Sequence, residues 1–299
     1  ITNFLKKSYK NKFLVFGGTG LLGNNILKAL NNKGDVYSFV NNRKSNLKKV
    51  KNVKFKLSEK ILRDFLIKNN ITTIINSAGL VSIEKCEKNN KLAWISNTNL
   101  VKTIVASIKN EDINLVHIST DHIFNKRKGK IKEEEKYFSK NFYAKTKIDA
   151  EKIIKKSEVN YIILRSNFFG KGTFFRRSFS DYILYNLKNN NKFYLWKNIF
   201  FSPVNMRTLT DVILKLLEIN QNGIFNISSS ENISKYNFGK LLAKRYKLNQ
   251  NLVLPKTFVT SKENVRRPLN MSLSNNKIIN LFPSMKKELS IMRQVEFIK

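Results

Sequence analysis

The chain has 299 residues, 41% of them hydrophobic and 11% aromatic, enough to bury a sizeable core in one large domain or two modest ones, which excludes wholesale disorder. Its 56 Lys and Arg against 21 Asp and Glu leave a formal charge of +35, and its single cysteine, Cys86, excludes an internal disulfide or a cysteine-built zinc site. No run approaches the roughly 18–20 apolar residues of a membrane span, and Ile1 to Lys12 lack the apolar stretch and cleavage site of a secretory leader. A cytoplasmic protein with no membrane partner is therefore expected, although Ile1 in place of Met leaves the true start open.

An excess of positive charge can attract nucleic acid, an anionic membrane or a phosphorylated small molecule. Here Lys, Asn, Ile and Phe are abundant together from end to end, and the lysines form no basic tail. That pattern fits an AT-rich coding sequence, so nucleic acid is not expected as a partner.

In chain order, Lys12 to Phe16 (KFLVF) reads as a strand, Gly17 to Gly23 (GGTGLLG) as a tight turn, and the stretch to Leu30 as a helix with Leu22, Ile26, Leu27 and Leu30 on one face. Strands follow at Val36 to Val40 and Val53 to Leu57, with a helix over Ile61 to Asn69. Thr72 to Asn76 is a fourth strand, ending in Ser77-Ala78-Gly79. A long helical stretch over Lys88 to Lys109 precedes a fifth strand at Leu115 to Ser119. Tyr143 to Lys156 is helical, and Tyr161 to Leu164 and Gly223 to Ile227 complete seven strands. This alternation predicts an α/β fold with a doubly wound, parallel Rossmann-type sheet. The dinucleotide-binding domain is placed at 1–170, completed by about 204–228. A smaller substrate-binding cap is placed at about 171–203 and 229–299, with helices at Phe179 to Leu187 and Tyr236 to Tyr246. Asp211 to Glu218 also reads as helical, and Asn251 to Leu254 and the tail after Pro268 as short elements.

Gly17, Gly20 and Gly23 follow a strand and open a helix. In that setting glycines permit the tight turn, the approach of a pyrophosphate and close helix–strand packing, while the helix N-terminus presents free N–H groups. The second strand runs into Asn41, Asn42, Arg43 and Lys44 with no carboxylate, and the only nearby acid, Asp35, lies at the strand's start. Cations without an acid favour a ribose 2′-phosphate, so NADP(H) is preferred and NAD(H) left open. Thr19, Leu21, Leu22, Asn41 and Arg43 join the glycines as expected cofactor contacts.

The fifth strand ends in Ser119-Thr120-Asp121-His122, and Tyr143 follows Thr120 by 23 residues, with Lys147 one helical turn on. An ammonium beside a phenol favours the phenolate and lowers its pKa, so Tyr143 is a candidate acid/base, tuned by Lys147, with the Thr120 hydroxyl available to a carbonyl oxygen. Y-x-x-x-K alone carries little weight in a lysine-rich chain; the order and spacing carry it.

Together with NSAGLVSIEKCE (Asn76 to Glu87), STDHIF (Ser119 to Phe124), YAKTKIDAE (Tyr143 to Glu151), LRSNFFG (Leu164 to Gly170) and RRPLNMSLSNNKI (Arg266 to Ile278), these motifs resemble the extended short-chain dehydrogenase/reductase family, and within it the dTDP-4-dehydrorhamnose reductase branch. The resemblance implies catalytic roles for Thr120, Tyr143 and Lys147, with Asp121 lining the site. It also implies cofactor contacts from Gly17, Gly20, Gly23, Asn76, Ala78, Gly79, Tyr143 and Lys147. Val81, His122, Asn167 and Arg207 are expected substrate contacts. The reaction implied is hydride transfer from a nicotinamide to the C4 ketone of a nucleotide-linked hexose, in cell-surface polysaccharide synthesis. No metal is expected, and a homodimer is left open.

His122 stands where the branch usually has Tyr, and Ser139 where a proline commonly precedes the tyrosine. Relatives of this architecture also epimerise or dehydrate nucleotide sugars with retained NAD(P), or serve as non-catalytic regulatory subunits, which keeps those alternatives open. Of the remaining residues, His117 reads as strand packing, Cys86 as an inert small residue, and Glu133 to Glu135 as a solvated loop. Arg207, Arg266 and Arg267 are either a diphosphate clamp or structural ion pairs.

Overall fold

The computed structural model describes residues 11–125, 130–261 and 265–298; the leader reading, which concerned 1–12, falls almost wholly outside them. The first half alternates as the apolar periodicity requires. β1 (Lys12–Phe16), α1 (Leu21–Leu30), β2 (Asp35–Phe39), β3 (Val50–Val53), α2 (Glu59–Lys68) and β4 (Thr73–Asn76) come first. α3 (Ile83–Lys88), α4 (Asn90–Trp94) and α5 (Leu100–Ser107) then lead to β5 (Asn114–Thr120), α6 (Phe142–Lys155) and β6 (Tyr161–Ser166). Beyond them lie β7 (Phe168–Phe169), α7 (Phe179–Lys188), β8 (Phe193–Trp196), β9 (Phe200–Phe201), β10 (Val204–Asn205), α8 (Met206–Glu218) and β11 (Gly223–Ile227). β12 (Ile233–Ser234), α9 (Lys235–Arg245), β13 (Val253–Lys256) and three short helices, α10 (Asn276–Leu281), α11 (Met285–Glu288) and α12 (Ile291–Glu296), finish the chain.

Seven strands form one sheet in the order β11-β6-β5-β4-β1-β2-β3, every pair parallel. Helices cover both faces, so alternate residues of β1 enter different cores. Phe13 and Val15 pack with Leu22, Ile26 and Leu27 of α1 and with Leu209 and Ile213 of α8. Leu14 and Phe16 pack with Leu62, Leu66 and Ile104 on the other side. Each such side chain contributes about 1.5–3 kcal/mol by leaving water. The order of winding reverses between β1 and β4, and at such a switch point the carboxyl ends of the strands leave a crevice.

A second core belongs to the later segments. Phe169, Phe193, Phe201, Phe238, Leu242 and Val253 are buried together, and the Phe238 ring meets those of Phe169, Phe179 and Phe201 at 4.9–6.0 Å. β8 pairs in parallel with β13 to build this unit.

Three elements differ from the sequence reading. The third strand lies earlier, at Val50–Val53. Phe55 and Leu57, which suggested a later one, instead pack from a loop, Phe55 against the rings of Phe39 and Phe65 at 5.0 and 5.1 Å. The long helix is divided: α3 and α4 precede a π-helical turn at Ile95–Asn99, and only then does α5 run on. β8 (FYLW) was not foreseen, because four residues of continuous apolarity carry no period that separates strand from helix.

Candidate active site

The glycine turn and the carboxyl ends of β1, β4, β5 and β6 open into one cleft. Its inner part, about 560 Å³, is lined by Gly17, Gly20, Gly23, Ala78, Gly79, Thr120, Tyr143 and Lys147 together with Asn167, Phe179 and Lys235. An adjoining groove of about 770 Å³ runs over Phe16, Phe39, Asn41, Arg43, Phe55 and Ala78.

A dinucleotide fits this surface. Gly17 has φ +80°, and a Cβ there would stand 2.6 Å from the Ala78 nitrogen; one on Gly23 would collide with the Gly17 carbonyl. Larger residues would therefore close the space that a pyrophosphate needs and separate α1 from β1. No side chain caps α1 and no acid lies in its first turn, which leaves its N–H groups and partial positive charge for phosphate. At the end of β2, Arg43 lies over the Phe175 ring at 4.6 Å, while Lys44 and Lys28 border a pocket with Thr19. Asp35 is turned to Lys12 and Lys51, at 4.0 and 3.9 Å.

Thr120, Tyr143 and Lys147 converge at the inner end, each under one tenth exposed. The Thr120 hydroxyl accepts from His122 N–H at 3.2 Å and donates to Asp121 Oδ1 at 3.3 Å. Asn167 donates to Asp121 Oδ2 at 2.9 Å. Burial pushes the Asp121 carboxyl up to about 7 despite that bond. The Tyr143 phenol is raised as well, through burial, with the Thr120 side chain opposing and Asp121 reinforcing the rise.

Lys147 departs from the expected arrangement. Its Nζ donates to the Ile118 carbonyl at 2.7 Å and faces His117 Nε2 at 3.0 Å. Burial holds its ammonium down to about 8, with Glu151 one turn further on opposing. The lysine is thus committed to β5, and the phenol lies above its ordinary range, where the spacing alone predicted a lowered one. His117 is correspondingly more than packing: its other ring nitrogen meets Asn76 Nδ2 at 3.3 Å.

The π-helical turn fixes α6 from below. Asn97 donates to Thr146 Oγ1 at 2.9 Å and accepts from Leu80 N–H at 2.7 Å, and the Thr98 hydroxyl donates to the Thr146 carbonyl at 2.9 Å. Such turns are over-represented at functional sites because they re-aim side chains. A buried ion pair, Arg165–Glu151 at 2.7 Å, ties β6 to α6. Ser119 and Tyr137 also donate to Glu151, and Arg165 lies over Phe124 and Tyr137 at 5.0 and 5.3 Å.

Val81, His122 and Asn167 line the cleft, and the His122 ring meets that of Tyr143 edge-on at 5.9 Å. Burial and the nearby Lys235 and Arg267 bring the His122 imidazole down to about 3, so it is neutral. Arg207 is not brought to them. It opens α8 and faces a separate groove, its guanidinium over Phe297 at 5.2 Å. Arg267 pairs with Glu84 and lies over Trp196. Glu133 is no free loop acid either, since it accepts from Asn226 N–H at 2.9 Å.

The profile of the RmlD substrate binding domain family matches residues 11–290. The chain belongs to this family. That bears out the resemblance to the extended short-chain dehydrogenase/reductases of the dTDP-4-dehydrorhamnose reductase branch, and with it the NAD(P)-dependent oxidoreductase class. The spore coat polysaccharide biosynthesis protein SpsK of Bacillus subtilis is 26% identical over 235 residues, 76% of each chain. Among solved structures, a hypothetical dTDP-4-dehydrorhamnose reductase from Sulfolobus tokodaii is 27% identical, with a TM-score of 0.79 over 91% of this chain and 94% of that one. The dTDP-4-dehydrorhamnose reductase of Bacillus anthracis, solved in complex with NADP, shares the fold at 20% identity and a TM-score of 0.74, over 91% of this chain and 92% of that one.

Against this family background, the sequence reading missed Lys235 altogether. It opens α9, lines the cleft, and lies 5.0, 5.7 and 5.6 Å from the rings of Phe179, Trp196 and Phe201. Burial brings its ammonium down to about 8, while Asp121 supports the charge. Among the described residues no helix is long and apolar enough to cross a membrane, and no cluster of His, Cys, Asp and Glu could hold a metal ion.

Proposed function

We propose that this RmlD-family protein reduces the 4-ketone of a nucleotide-linked sugar, with NADPH as the preferred donor and Tyr143 as the proton source. One observation carries the reading: Thr120, Tyr143 and Lys147, all buried, line the inner end of the same cleft that holds the glycine turn. Gly17, Gly20, Gly23, the α1 N-terminus, Ala78 and Gly79 would hold the dinucleotide, and the bound nicotinamide supplies the hydride.

With substrate bound, the Thr120 hydroxyl turns its hydrogen from Asp121 Oδ1 to the ketone oxygen and polarises it, and Tyr143 donates its proton to that oxygen. A phenol held above its ordinary range is protonated at neutral pH, which suits the acid of a reduction. Lys147, anchored on Ile118, then offers positive charge to the phenolate that remains. Asp121, held by Asn167, takes the Thr120 hydrogen while no substrate is bound. Lys235, His122 and Asn167 face the sugar. Arg43, steadied on Phe175, and Lys44 favour the 2′-phosphate of NADP(H). The name of the Sulfolobus structure supports the ketone substrate and the Bacillus anthracis complex supports the cofactor. The reading places the reaction in the cytoplasm, beside a nucleotide-sugar pool.

The test is Tyr143→Phe, which keeps the ring and removes the hydroxyl. Turnover should fall by about 10²–10⁴, while NADPH binding, followed by fluorescence titration, stays within about twofold. Undiminished turnover would remove Tyr143 from its role.

A further inference from the structure

We propose that His117 is a positioning residue that locks the charge of Lys147 to the orientation of the Asn76 amide, through one chain of hydrogen bonds from the acid-bearing helix to the cofactor groove. The inference rests on reading Lys147 as the charge beside the acid, and its geometry is independent of substrate. Asn76 and His117 are register partners across β4 and β5, both about 1% exposed. No water is needed to join them: Ala78 N–H donates to Asn76 Oδ1 at 3.2 Å, Asn76 Nδ2 meets His117 Nδ1 at 3.3 Å, and His117 Nε2 meets Lys147 Nζ at 3.0 Å.

Donors and acceptors can be assigned along this chain in only two ways. Ala78 N–H can only donate, so Asn76 Oδ1 faces it and the amide NH₂ faces His117. Nδ1 then accepts, and a neutral imidazole carries its hydrogen on Nε2, aimed at Lys147. An ammonium has no lone pair to receive it, so this arrangement belongs to the neutral amine, which accepts from His117 and donates to Ile118. When Lys147 takes a proton from solvent, its N–H must point at Nε2. The imidazole hydrogen then moves to Nδ1, Asn76 turns its oxygen to His117, and Ala78 N–H is released. Ala78 lines both the cleft and its adjoining groove. Charge on the lysine and a free donor beside the cofactor groove therefore come together.

His117 stays neutral throughout, because burial and the adjacent lysine hold its imidazole well below its ordinary range. The charged group acting on the pair is Glu151, one turn beyond Lys147 on α6; Tyr143 on the same helix is itself acted on by Asp121 and Cys86. Lys147 is held down to about 8, so the exchange falls in an accessible range, above the titration of Asp121 at about 7.

The chain has two histidines, which makes the test direct. The cofactor-free protein, labelled with ¹⁵N in its imidazoles, is followed by NMR from pH 6 to 10, with His122→Gln assigning the signals. The expected result is a neutral His117 that passes from the Nδ1–H to the Nε2–H tautomer as pH rises through Lys147's titration. One tautomer throughout, or an imidazolium forming near pH 6.5, would overturn the proposal. In activity, His117→Phe removes a charge-assisted bond to the ammonium. The alkaline limb of kcat should move down by about one pH unit. An unmoved or raised limb would also overturn it, because a purely structural role lowers kcat at every pH alike. Failure of the reductase reading would leave the NMR result untouched.

Discussion

The buried Arg165–Glu151 pair allows a quantitative test of how the site is held. Arg165 is 1% exposed and Glu151 is fully buried, and the guanidinium reaches the carboxylate through Nε at 3.1 and 3.2 Å and through Nη2 at 2.7 Å. Arg165→Met strands a carboxylate that keeps only the Ser119 and Tyr137 hydroxyls, and Glu151→Leu strands a guanidinium. Each single change should cost about 3–5 kcal/mol, because it leaves one charge buried without its partner. The double change removes both charges and leaves the two hydroxyls and the Glu133 carbonyl short of partners, at about 1–3 kcal/mol each. It should therefore be destabilised by about 2–3 kcal/mol less than the sum of the singles. Urea denaturation of the four proteins, followed by tryptophan fluorescence, gives the cycle. Additivity within about 0.5 kcal/mol would show that the pair is not coupled and would refute the argument.

The remaining predictions concern the cleft itself. Arg43→Ala should weaken NADPH binding about tenfold, the loss of one charge-assisted contact, and leave NADH nearly unchanged; equal losses for both would dissociate Arg43 from the 2′-phosphate. Lys235→Met keeps the stem within its aromatic cage, so it should raise KM for the sugar nucleotide about tenfold while NADPH binding is retained, whereas an unchanged KM would place Lys235 outside substrate contact. Lys147 is held down to about 8 against an ordinary value of 10.5, so its ammonium is lost as pH rises through about 8, and kcat should fall there. Stability should move the other way: between about 8 and 10.5 the unfolded chain binds the extra proton, so this group's contribution rises with pH across that window. A flat kcat profile from pH 7 to 10 would contradict the first half of that statement.

The Rossmann-type sheet was legible because its signals are local. A strand, three spaced glycines and an amphipathic helix lie within one stretch of sequence, and Tyr143 and Lys147 share a helix face by spacing alone. What was illegible depends on register and on distant segments. Asn76 and His117 meet only because β4 and β5 pair at that offset, and nothing local separates a packing histidine from a hydrogen-bonded one. Lys235 reaches the cleft from β12 and α9, more than 100 residues after Asp121, in a chain where one more lysine attracts no attention. Arg207 illustrates the converse: an arginine near the end of the sheet looks usable, but the start of α8 places it in a separate groove. The π-helical turn reads as continuous helix because ISNTN holds neither Gly nor Pro to mark an interruption.

The +35 charge also takes a narrower meaning. The cations placed at the proposed ligands are few: Arg43 and Lys44 at the groove, Lys147 and Lys235 in the cleft, and Arg176 and Arg177 at its lining. A positive field can hasten the encounter with polyanionic ligands at low salt, and the rest of the excess needs no role in recognition.

The central claim is the reaction, and it is tested most directly by offering a panel of nucleotide-linked 4-keto sugars with NADPH to the protein and its Tyr143→Phe variant. The account predicts NADPH oxidation matched one-for-one by reduced sugar, for at least one member of the panel, and lost in the variant. Conversion of a sugar nucleotide with no net NADPH consumed, or equal turnover by both proteins, would contradict it.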